Sequence, residues 1–262
     1  MVRKRVLEDT RGHALFFEPS SQCFEVLSAD AFHHQQGSSE HARLSFEERL
    51  GLLIDAEWTT REQRKLTRRL RSAKLRYTAS LEDVDFKHPR ALNRQQVLSL
   101  GSCGWIQSRH NLLITGPTGI GKSYLACAFV ERACRRGYSA TYLRLPRLPQ
   151  QLAVARGDGS YERTLARLAR LDLLAIDDWL LAPLRDGERR DLIEVVEDRS
   201  ERASTLIASQ LKTKDWHSVI GDPNLADAIC DRLLHNAHRL ELKGPSVRRT
   251  KAAPKSAAER KA

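Results

Sequence analysis

Residues 111–123, Asn-Leu-Leu-Ile-Thr-Gly-Pro-Thr-Gly-Ile-Gly-Lys-Ser, constrain this chain more than any other stretch. Residues 111–115 read as a short buried strand. Gly116, Pro117, Thr118, Gly119, Ile120, Gly121, Lys122 and Ser123 then fit G-x-x-x-x-G-K-[ST] at every fixed position. An amphipathic helix is expected over 124–136, beginning at Tyr124. Glycines at 116, 119 and 121 let the backbone curl until consecutive N–H groups point inward. The following helix adds the positive end of its dipole. Such a loop suits ATP: Lys122 reaches the β- and γ-phosphates, and the Ser123 hydroxyl suits Mg²⁺.

The text around the loop alternates strand and helix. Strands are expected at 140–143, 171–176, 204–209 and 239–242. Helices are expected at 146–155, 161–170, 188–202 and 225–237. This alternation predicts an α/β fold, a mostly parallel sheet with helices on both faces. Upstream, Ser45-Phe46-Glu47-Glu48 and Thr59-Thr60-Arg61-Glu62 each fit a capping box, which predicts two helices in a hairpin ending near residue 76. The expected organisation is four segments: an atypical, poorly structured 1–43, a helical basic region and connector over 44–95, the core over 96–245, and a basic disordered tail over 246–262.

Charge divides along the same lines. Of the net +11, residues 61–76 carry +7 and residues 243–262 carry +6, which leaves −2 for everything else. Acids that would pair at i,i+4 on the 61–76 helix are mostly missing, so a polyanion partner is expected, nucleic acid first. No apolar run approaches a membrane span, and no long apolar segment follows the basic start, so neither membrane nor secretion is expected. Five cysteines without zinc spacing point to reduced thiols in a cytoplasm. Cys127 and Cys134, seven apart, are expected to share a core face. Cys23 with His33, His34 and His41 is too scattered for a metal site.

Hydrolysis needs carboxylates beside the phosphate loop. Leu173-Leu174-Ala175-Ile176-Asp177-Asp178 supplies two at a strand end, Asp177 for the Mg²⁺ and Asp178 for the attacking water; a turn-forming pair is the alternative. The fourth strand ends at Ser209-Gln210. A polar group there would touch the γ-phosphate if that strand lies between the first and third; ordinary strand-end polarity is the alternative.

Together with the loop, Leu-Leu-Ala-Ile-Asp-Asp-Trp, Thr-Leu-Ile-Ala-Ser-Gln, Ala-Asp-Ala-Ile-Cys-Asp-Arg-Leu and Leu-Lys-Gly-Pro-Ser-Val-Arg-Arg-Thr resemble the IstB-type helper ATPases of bacterial insertion sequences. These are relatives of the DnaC helicase loaders within the AAA+ class. The likeness runs from about Leu44 to Thr250, and residues 1–43 depart from it. It implies an AAA+ (ASCE) sheet with Ser209 near the γ-phosphate. It implies ATP-dependent self-assembly on double-stranded DNA and cooperation with a transposase. It also implies that Arg232 acts in trans as an arginine finger and that Arg248 senses nucleotide in cis. A DnaC-like helicase loader and a nucleotide-holding DNA adaptor without turnover are the rival readings.

Overall fold

The computed structural model describes residues 6–8, 14–16, 35, 37 and 41–247. The expectations for Cys23, His33, His34, Arg248 and the rest of the basic tail lie outside the described residues, as does most of the expectation for 1–43. The chain divides into two compact units, Met1–Thr67 and Arg68–Ala262.

In the first unit, β1 (Val6–Glu8) and β2 (Ala14–Phe16) form an antiparallel hairpin with Val6 opposite Phe16. No sustained alternation in the sequence predicted it. Helix α1 (Phe46–Ser72) begins in this unit and crosses into the second. Its start is the expected capping box: Ser45 N donates to Glu48 Oε2 at 2.7 Å, and Glu48 N donates to Ser45 Oγ at 3.2 Å.

The expected break into two helices does not occur; α1 is one element of 27 residues. The second Thr-x-x-Glu signal is overridden locally. Thr60 Oγ1 donates back to the Ala56 carbonyl at 2.8 Å, and Arg61 pairs with Glu57 one turn earlier at 2.5 Å. Both contacts exist only in a continuous helix. The helix ends where Lys74 takes a left-handed φ of 51°.

The second unit is built on a five-stranded, all-parallel sheet. Its strands are β3 (Asn111–Thr115), β4 (Ala140–Arg144), β5 (Leu173–Trp179), β6 (Ser204–Ser209) and β7 (Ala237–Glu241), in the spatial order β4-β5-β6-β3-β7. Short helices α2 (Arg94–Leu100) and α3 (Gly104–Gln107) precede it. The connecting helices are α4 (Lys122–Arg135), α5 (Leu148–Gly157), α6 (Tyr161–Ala169), α7 (Asp186–Arg199), α8 (Trp216–Ile220) and α9 (Pro223–Leu234). Every expected strand is present, and α3 and α8 are helices that the periodicity missed.

Strand alternation explains the layers. Leu113, Leu143, Leu174, Ile176 and Ile207 join one core with residues from α5 to α9, including the packed pair Trp179 and Trp216 at 5.4 Å. Their neighbours Leu112, Ile114, Ala175, Leu206 and Ala208 are fully buried on the other face, where α4 packs and buries Leu125, Phe129, Cys127 and Cys134. The two cysteines are thus core residues. One cation, Arg199, is 1% exposed, and its guanidinium donates to the carbonyls of Leu168, Leu171 and Ser204. Burial pulls its pKa down to about 10. Among the described residues no helix is long and apolar enough to cross a membrane.

Candidate functional site

Parallel strands gather their carboxyl ends at one edge of the sheet, and the loop after β3 leaves from that edge. Gly116, Gly119 and Gly121 take φ values of 150°, 78° and 101°, and a Cβ at Gly116 would stand 2.5 Å from the Leu242 carbonyl oxygen. Four of the loop's carbonyls are occupied. Lys122 Nζ donates to Gly116 O at 2.7 Å and Pro117 O at 2.9 Å. Val247 N donates to Gly119 O at 3.0 Å, and Arg90 Nη1 donates to Ile120 O at 3.1 Å. The first amides of α4, from Lys122, Ser123 and Tyr124, have no intrahelical acceptor, as at any helix start. A curl of glycines that admits no Cβ, with its carbonyls already bonded and a helix start behind it, fits a phosphate chain.

The two carboxylates lie at the same edge. Between β5 and β6, Ile176 is opposite Ile207 but Trp179 is opposite Ser209, so β5 carries one extra residue. Asp177 and Asp178 sit in this bulge, and Asp178 takes a left-handed φ of 54°. A bulge re-aims side chains that strict alternation would send to opposite faces. Asp177 is 2% exposed. Its Oδ2 accepts from the Tyr142 hydroxyl at 2.5 Å and its Oδ1 from Asp178 N at 2.8 Å. Burial, reinforced by the bond to Asp177, raises the Tyr142 pKa and keeps that hydroxyl a donor. Asp178 Oδ2 pairs with Arg144 Nε at 2.5 Å. Tyr142 and Arg144, two apart on β4, therefore hold the two acids.

β6 does lie between β3 and β5. Ser209, however, is fully buried, and its hydroxyl donates to Trp179 O at 3.2 Å and accepts from Leu211 N at 3.1 Å. The Ser209 carbonyl accepts from Gly116 N at 3.2 Å, so Ser209 lies beside the start of the loop. Gln210 also reaches the loop, where its Oε1 accepts from Thr118 Oγ1 at 2.6 Å. Arg232 sits at the opposite edge of the sheet. Its backbone carbonyl accepts from Asn111 Nδ2 at 3.0 Å, and Asn111 begins β3. Five residues of strand separate that point from Gly116, about 16 Å at 3.3 Å per residue, which is beyond the reach of an arginine side chain. The Arg232 guanidinium meets Glu197 at 2.5 Å and borders a cleft of about 230 Å³ with Asn111 and His235. Sequence reasoning missed Arg90, Tyr142 and Arg144. The spacing of Tyr142 and Arg144 along β4 was a usable signal once β4 was known to pair with β5.

The family model for IstB-like ATP binding proteins matches residues 25–255. The chain belongs to this family. It is 50% identical over 221 residues to the insertion sequence ATP-binding protein y4pL of Sinorhizobium fredii (strain NBRC 101917 / NGR234), covering 84% of this chain and 90% of that one. It is 53% identical over 169 residues to the ATP-binding protein of insertion sequence IS1162 from Pseudomonas fluorescens, covering 64% and 73%. Among solved structures, the DnaC helicase loader superposes with a TM-score of 0.53 at 19% identity, over 65% of this chain and all of that one. That likeness places the IstB-like chain in the AAA+ P-loop fold.

Proposed function

We propose that this IstB-like chain is a Mg²⁺-dependent ATPase that self-assembles on double-stranded DNA and assists a transposase in insertion-sequence transposition. The observation that carries the reading is the division of parts between the two sheet edges. The phosphate loop, Asp177 and Asp178 share the carboxyl edge, while Arg232 stands at the amino edge, too far to serve its own loop. The residues fit the chemistry. The loop amides and Lys122 hold the triphosphate, and Ser123 and Asp177 supply the oxygens a Mg²⁺ takes. When bound, that ion neutralises developing phosphate charge. Asp178 orients the attacking water and accepts its proton. Arg232 leaves Glu197 and completes the site of a neighbouring subunit.

The DNA role is supported by the end of α1. Arg68 and Arg71 in its last turns, and Lys74 just past them, are exposed, and none of the three makes an ion pair with a described residue. Repeated along an assembly, such weak phosphate contacts sum to tight, salt-sensitive binding. The relatives named for insertion sequences favour a transposase over a replicative helicase as partner.

The test is steady-state phosphate release with and without duplex DNA across a salt series. DNA-stimulated turnover that fades with salt is expected, falling 10²- to 10³-fold in Asp178→Asn with ATP binding retained. Lys122→Ala mixed with Arg232→Ala should recover part of the activity that each lacks alone, because one supplies the arginine and the other the loop. Turnover indifferent to DNA removes the DNA role, and no recovery on mixing removes the trans arginine.

A further inference from the structure

Arg90 lies in the connector before the core, a stretch whose sequence carries no motif. It is 4% exposed and makes no ion pair with a described residue. Its Nη1 donates to Ile120 O at 3.1 Å and its Nη2 to Asp85 O at 2.9 Å, while Nε has no partner among the described residues. The backbone around it is also fixed: Lys243 N donates to Arg90 O at 3.1 Å, and a Cβ at Gly244 would stand 2.2 Å from Pro89 O. A Cβ at Gly121 would stand 2.5 Å from Arg90 Nη1, so the second fixed glycine of the loop also makes room for this guanidinium. Burial lowers the pKa of Arg90, the Asp85 carboxylate nearby offsets part of that effect without forming an ion pair, and a cation is left directly behind the loop.

The geometry of a trans peptide gives this contact a function. Ile120 C=O and Gly121 N–H belong to one planar unit and point in opposite directions. Whatever holds that carbonyl outward holds that amide inward. Val247 N does the same for the peptide between Gly119 and Ile120, while the Pro117 carbonyl is bonded by Lys122 Nζ. Lys122 itself is needed at the phosphates, but Arg90 is not. We propose that Arg90 is a positioning residue for nucleotide binding, fixing the Gly121 amide toward the triphosphate from behind the loop. The proposal rests on the ATP-binding reading of that loop.

The experiment is titration of the full chain with a fluorescent ATP analogue in Mg²⁺, comparing wild type, Arg90→Met, Arg90→Lys and Lys122→Ala, with thermal unfolding as the check on folding. Arg90→Met should bind at least tenfold more weakly, and Arg90→Lys, which restores a charged donor, should return to within threefold of wild type. If Arg90→Met does not fold, Arg90→Gln takes its place; it keeps one N–H donor and should lose three- to tenfold. Folded Arg90→Met or Arg90→Gln binding as wild type, or Arg90→Lys binding as weakly as Arg90→Met, overturns the proposal while a weak Lys122→Ala leaves the loop reading intact. Lys122→Ala binding as wild type overturns both.

Discussion

Replacing Asn111 with alanine should destabilise the sheet-containing core by about 3 kcal/mol, the estimate being built from the three hydrogen bonds of one side chain. Asn111 is 8% exposed at the start of the central strand β3. Its Oδ1 accepts from Thr205 N at 2.9 Å, and its Nδ2 donates to the carbonyls of Arg232 at 3.0 Å and Leu233 at 3.3 Å. Truncation leaves the Thr205 amide without this acceptor in a residue that is 3% exposed. A buried polar group stripped of its partner costs roughly 1–3 kcal/mol. Arg232 lines the cleft, where water can replace the donor its carbonyl loses, so that bond adds less; the Leu233 bond is buried but long at 3.3 Å. The vacated side-chain volume adds a further cavity contribution. For a folded unit of this size, 3 kcal/mol corresponds to roughly 6–12 °C in Tm. Urea unfolding followed by circular dichroism gives the free energy directly. A loss below about 1 kcal/mol would refute the reasoning, because it would mean that these three bonds do not hold β3, β6 and the end of α9 together.

Gly116→Ala should fold but bind ATP at least tenfold more weakly, since φ is 150° and the new Cβ meets the Leu242 carbonyl oxygen at 2.5 Å; equilibrium titration checks it. Alkaline stability offers a test of the core face of α4. Burial pushes the Cys134 thiol up from 9.0 to about 11, so the folded state holds its proton more tightly than the unfolded state does. This contribution is fully present below pH 9 and is lost as pH rises from 9 toward 11. Urea midpoints should fall across that window and fall less in Cys134→Ala. Equal slopes in the two proteins would refute the assignment.

The loop and the strand carrying Asp177 were legible because their signals are local: fixed glycines, a short apolar run, an acid pair. The strands of the sheet were legible for the same reason. The long helix was not, because a Thr-x-x-Glu sequence reads alike at a helix start and inside a helix, and only the back-bond from Thr60 to Ala56 and the pairing of Arg61 with Glu57 decide between them. The bulge at Asp177-Asp178 depends on pairing with β6, a long-range fact. Gln210 lies just past the end of β6, and its contact with Thr118 depends on the turn that follows, 92 residues from its partner. Arg90 was invisible for a similar reason, since its acceptor lies 30 residues away.

The contact between Val247 and Gly119 has a practical side. Composition puts the end of the core at residue 245 and assigns everything after it to a basic disordered tail. The hydrogen bond from Val247 N to Gly119 O at 3.0 Å, with Ser246 packed against the same glycine, puts the working boundary two residues later. A chain cut after Pro245 would therefore lose a hydrogen bond and a packing contact that hold Gly119 of the loop while appearing to lose only tail sequence. Deletion studies of the tail need to start beyond Val247 if a defect in binding DNA is to be told apart from a defect in binding nucleotide.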